Sequence, residues 1–150
     1  METVRSGVRV LVAVAMIAVG ILHFMKPQGF VDIVPKTLPH PLLLVHVSGF
    51  FEIAGGVGIL VPRTRRAAGF GLIALYVAVF PANVNMAVNG IQPDGMQVSS
   101  TAAWVRLPFQ LVFIAVAWWV AVWRGPGSAS ATARASVSGA SAATGREDGR

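Results

Sequence analysis

Apolar residues along this chain come in long blocks and not at a regular short period. Four blocks, at about 7–25, 42–61, 67–86 and 103–123, run with few polar interruptions. Each is about 20 residues long, enough for an α-helix to cross roughly 30 Å of hydrocarbon. The strands of a membrane barrel would alternate apolar and polar positions, and these blocks do not. In lipid a helix satisfies its own backbone polar groups. The pattern therefore predicts an all-α membrane protein, with residues 1–124 forming a bundle of four transmembrane helices. A signal peptide is the alternative for the first block, since Arg5 and Arg9 precede an apolar stretch. Against it, the run is long and no small-residue cleavage site follows.

The stretches between blocks differ in kind. "KPQGFVDIVPKTLPHP" carries Pro27, Pro35, Pro39 and Pro41, which prevent a continuous helix. Phe30, Val31, Ile33 and Val34 keep it apolar. It predicts a short Pro-rich interfacial or re-entrant segment after the first helix. Residues 87–102 are polar, with Asp94 their one charge. From 125 to 150 the chain is Gly, Ser, Ala and Thr with scattered Arg. Such a composition buries too little surface to fold and predicts a disordered cytoplasmic tail.

Composition supports the same class. Charged residues are 12% of the chain and hydrophobic ones 55%, with a mean hydropathy of +0.67. A soluble domain carries about 25% charged residues. The net charge of +6 could point to nucleic acid, but its placement has another explanation. Arg5, Arg9, Arg63, Arg65, Arg66, Arg124 and Arg134 fall on one side of the four spans, and Lys26, Lys36 and Arg106 on the other. The positive-inside rule then puts both termini and the "PRTRR" link in the cytoplasm. The expected surroundings are a lipid bilayer, with no nucleic-acid partner. Trp104 and Trp123, at the two ends of the fourth block, suit interfacial anchors. With no cysteine, the chain has no thiol chemistry of its own.

Within the spans, polar residues are few. From Pro41 to Pro62, Glu52 is the one charged residue. It lies about ten residues into its helix, roughly 15 Å below the outer surface, where a charge costs about 2.5–3.5 kcal/mol on insertion scales. Ser48, Gly49, Gly55, Gly56 and Ile59 share its face at i, i+3, i+4 and i+7 spacing. Small residues mark close helix packing, so Glu52 is expected to face protein. A similar stripe, Ala67, Gly71, Ala74, Ala78 and Ala82, is expected to pack in the third span. His23, His46, Asn83, Asn85, Arg106 and Gln110 join Glu52 in the outer half of the bundle. They predict a polar pocket open to the outer face, with Arg106 as the ion-pair partner of Glu52. His23, His46 and Glu52 are candidates for moving protons. Arg106, Gln110, Asn83 and Asn85 are candidates for holding a substrate. The same residues also suit a purely structural role. Two His and one Glu can bind a metal, but no HxxxH or ExxH spacing is present, and no metal site is expected.

Three stretches together resemble the DoxX family of small four-helix membrane proteins: "GILHFMKPQGFVDIVPKTLPHP", "VSGFFEIAGGVGILVPRTRRAAGFGLIALYVAVFPANVNMA" and "RLPFQLVFIAVAWW". They span about residues 20–119. Glu52, Asn83, Arg106 and Gln110 lie in these motifs. The resemblance implies a multi-pass plasma-membrane protein, and for some members a link to membrane oxidoreductase complexes with quinone as acceptor. Many members have no assigned activity.

Three functions remain open. One is an accessory or quinone-interacting subunit of a membrane oxidoreductase, with its redox centre on a partner protein and quinone drawn from the membrane. Another is a small-solute carrier, which with four unrepeated helices needs a homo-oligomer. The last is a non-catalytic membrane scaffold.

Overall fold

The computed structural model describes residues 2–95 and 97–123. The tail expected to be disordered lies outside the described residues. The described residues are helical and contain no strand. Four helices are long and apolar enough to cross a membrane, the make-up of a multi-pass membrane protein.

Helix α1 spans Glu2–Met25. It begins ahead of the first apolar block because nothing in "ETVRSG" breaks a helix, and Glu2 suits the positive end of the helix dipole. A one-turn helix, α2, covers Gln28–Val31, and Gln28 Nε2 donates to Asp32 Oδ1 across it at 2.8 Å. α3 spans Pro41–Leu60 with proline in its first turn, where the missing N–H costs nothing. His40 takes left-handed backbone, φ 52° and ψ 57°, not the extended backbone that a following proline favours.

α3 stops before Pro62, and its end is tied off by the residues that follow. Thr64 Oγ1 donates to Gly58 O at 2.9 Å, and Arg65 Nε donates to Ile59 O at 3.0 Å. These bonds satisfy carbonyls that have no partner within the helix. α4, Arg65–Asn89, runs through Pro81 and closes at Gly90, whose φ of 59° suits glycine. α5 spans Ser100–Ala117, capped by Ser99 Oγ, which accepts from Ala102 N at 3.1 Å. It continues as a π-helical turn, Trp118–Val122.

α1 packs on α3, α3 on α4, and α4 on α5, while the π-helical turn reaches back to α1. Ala13, Ile59, Leu72, Tyr76, Ala117 and Val120 form the core toward one end, and Met86, Ala87 and Ala103 toward the other. Large apolar side chains such as Leu11, Phe50, Val77 and Leu111 point outward, as lipid requires and water would penalise.

The N-terminus, the α3–α4 link and the end of α5 meet at one end of the molecule, where Arg5 donates to Trp123 O. At the other end, the Asp94 N–H donates to Asp32 Oδ2 at 2.9 Å, and Asn85 Nδ2 donates to Ile33 O at 2.8 Å.

Candidate functional site

The face of α3 expected from its spacing is the buried one: Gly49, Glu52, Gly55, Gly56 and Ile59. Its glycines admit α1 at backbone contact. A Cβ on Gly49 would lie 2.6 Å from His23 Cβ, and one on Gly56 would lie 2.9 Å from Ala13 O. From the α1 side, a Cβ on Gly20 would lie 2.7 Å from Gly49 O. This approach sets His23 beside Glu52, with Nδ1 to Oε2 at 3.1 Å. Both residues are buried, 7% and 8% exposed. Phe30 of α2 stacks on the His23 ring at 3.8 Å between centroids.

The hydrogen bonding of this pair is unbalanced. His23 Nδ1 lies 2.9 Å from Val19 O in good hydrogen-bond geometry. A carbonyl only accepts, so Nδ1 carries the proton and donates it there. Glu52 Oε2 is near the same nitrogen but off its N–H direction, and it accepts no hydrogen bond. A buried oxygen without a donor is costly. A small rotation of the imidazole would turn Nδ1–H from Val19 O toward Oε2. The arrangement sets a buried carboxyl group beside a buried imidazole between α1 and α3.

The expected Glu52–Arg106 ion pair is not formed. Arg106 is exposed, with Nη1 3.8 Å from Met86 Sδ. α5 packs chiefly on α4, which leaves Arg106 on the outside, and His23 of α1 takes the place beside Glu52. The small stripe of α4 is corrected as well. Ala67, Gly71, Ala74 and Ala78 are exposed, and nothing lies within 4 Å of a Cβ placed on Gly71. α4 instead buries Gly69, Leu72, Leu75 and Tyr76. Leu72 fills the groove at Gly55, so a large residue meets a small one, while Gly69 receives Ala121 of the π-helical turn.

The other expected site residues fall into separate groups. Asn83 Nδ2 donates to Gln110 Oε1 at 2.9 Å, and Gln110 Nε2 donates to the Tyr76 carbonyl. That carbonyl is next to Val77 O, which Pro81 deprives of its usual helical donor. Asn85 holds Ile33 O and accepts from Asn89 Nδ2. His46 is half-buried and stacks on Phe24 at 5.2 Å. Glu52 and His23 line neither of two surface clefts. One cleft, of about 550 Å³, lies at the α2 end against Val31, Val34, Pro35, Leu38, Pro41 and Ile91, with Asp32, Lys36 and Gln92 as its polar groups. Val19 and Tyr76 could not be picked out beforehand, because each serves these groups through its backbone carbonyl, and Phe30 stood out only as apolar.

Residues 12–121 match the family described as a domain of unknown function, DUF8561. The chain belongs to that family. No curated protein and no solved structure matches it.

Proposed function

We propose that this is a DoxX-like integral membrane protein acting as an accessory, quinone-interacting subunit of a membrane oxidoreductase. In this reading the four spans form a bundle in the plasma membrane, with both termini and the Arg63–Arg66 link cytoplasmic and the Pro-rich segment at the outer interface. The carrying observation is the buried Glu52 Oε2, 3.1 Å from His23 Nδ1 and without a hydrogen bond. Intramembrane ionisable residues are functional candidates by default.

The pair as it stands is covered by Phe30 and offers no room for a quinone head. The cleft at the α2 end suits one better, with apolar walls and Lys36 as a cationic donor. A quinone there would take up two protons at its carbonyl oxygens as the redox centre of the partner protein supplied two electrons. Lys36 would hold a carbonyl oxygen, and His23 with Glu52 would store the proton. α2 joins the two places, with Val31 in the cleft wall and Phe30 on His23. Quinone-dependent turnover of the protein co-purified with its partner tests this. Activity that falls at least tenfold in Glu52→Gln supports the reading, and turnover indifferent to quinone rejects it.

A scaffold role is the second reading. Asn83, Asn85 and Gln110 all spend hydrogen bonds on the protein's own helices and loop, as residues that only fix packing would.

A further inference from the structure

The arginines at the opposite end carry an inference independent of the His23–Glu52 pair. Arg5, Arg9, Arg65 and Arg66 converge on one cleft of about 230 Å³, closed by Pro62, Ala121, Val122 and Trp123. Among the described residues, Glu2 is the one acid in its wall. It pairs weakly with Arg5, at 3.6 Å, and its side chain is 83% exposed.

The positive-inside rule asks only for basic residues near the ends of the spans. It does not ask for Arg9 to be 8% exposed, or for four guanidinium groups to share a cleft. Helix capping accounts for part of the arrangement. Arg9 Nε donates to Val120 O at 3.1 Å, Arg5 to Trp123 O, and Arg65 to Ile59 O and Leu60 O. These bonds use the carbonyls freed where α3 and the π-helical turn end. The negative end of each helix dipole and charge-assisted bonding favour arginine there, yet among the described residues the cleft holds four cations against one acid. Arg5 Nε is buried and has no hydrogen-bond partner among the described residues. Arg66 lines the cleft, exposed, with its guanidinium over the Phe70 ring, 5.8 Å from the centroid.

We propose that this cleft binds a phosphate group, as a monoester or diester. Arginine forks match phosphate oxygens in pairs of parallel hydrogen bonds. Basic pockets between membrane helices suit anionic lipid headgroups. A phosphate here would neutralise the clustered charge and give Arg5 Nε an acceptor. The chemistry is shared by an anionic phospholipid and a free phosphate.

The test uses the full chain in micelles of a phosphate-free maltoside detergent, with thermal unfolding and ³¹P line broadening as readouts. The probes are inorganic phosphate, dioctanoyl phosphatidylglycerol and, as an ionic-strength control, sodium chloride. Stabilisation by phosphatidylglycerol alone assigns a lipid headgroup, and stabilisation by inorganic phosphate as well assigns a free phosphate. Arg66→Gln, a change at an exposed side chain, is expected to weaken the binding by roughly tenfold. Arg5→Gln is expected to do the same while keeping the wild-type helical circular dichroism. The proposal is overturned if neither phosphate probe acts beyond the chloride control. It is also overturned if Arg66→Gln and folded Arg5→Gln bind both probes as wild type does.

Discussion

Gly49 and Gly71 are both glycines inside apolar spans, yet they answer to different constraints. A methyl group on Gly49 would strike His23 Cβ and the Gly20 carbonyl, while one on Gly71 meets nothing within 4 Å. Gly49→Ala is expected to destabilise the protein by about 1–3 kcal/mol through overpacking. Gly71→Ala should be neutral, or stabilising by up to about 1 kcal/mol from its better helix propensity. Unfolding in mixed micelles measures both, and the reverse order would contradict the packing described here. The direction Glu52 faces was legible, because its helical neighbours are small at i±3 and i±4. Its partner was not. Spacing within a helix says nothing of which other helix lies opposite, and a lone exposed cation, Arg106, drew the pairing to itself. Glu52→Gln and Arg106→Gln are therefore expected to be additive. Glu52→Gln and His23→Ala should instead couple by about 0.5–3 kcal/mol in a double-mutant cycle. A coupled Arg106 cycle would restore the rejected pair.

The four spans were legible at the scale of elements, since a continuous apolar block of this length has one solution in lipid. Their ends were less so. α1 starts at Glu2 and α4 continues to Asn89, because polar residues extend a helix beyond the bilayer without breaking it. The π-helical turn at Trp118–Val122 changes hydrogen-bond register and leaves no mark on composition. Packing order was hidden too, and with it the fate of the Ala67–Ala78 stripe, which lies away from α3 and α5. The link between α4 and α5 rests on Gln110, which is 4% exposed and bonded to both Asn83 and the Tyr76 carbonyl. Gln110→Leu should cost about 1–3 kcal/mol by leaving Asn83 Nδ2 without its acceptor. The double variant with Asn83→Leu should cost less than the sum. Equal or greater cost for the pair would mean that the two side chains do not act together.

Charge sorts the whole molecule into two ends: the arginine cleft at one, and Asp94 with the α2 segment at the other. With the arginine end cytoplasmic, a cysteine at Asp94 should react with an impermeant reagent on intact cells, and one at Thr64 should be protected. The chain has no cysteine of its own, so the labelling is clean, and the opposite pattern would invert the topology. The proposed function turns on one carboxylate. Glu52→Gln keeps nearly the same volume while removing the titratable carboxyl group and its charge, which tests the carboxylate with little change in packing volume. The most direct measurement is complementation of a deletion strain by Glu52→Gln, with membrane protein levels matched to wild type by immunoblot. The account predicts a protein that inserts and accumulates normally but does not restore the wild-type phenotype. Full restoration at equal protein level would contradict it and leave the His23–Glu52 pair as a packing feature of a scaffold.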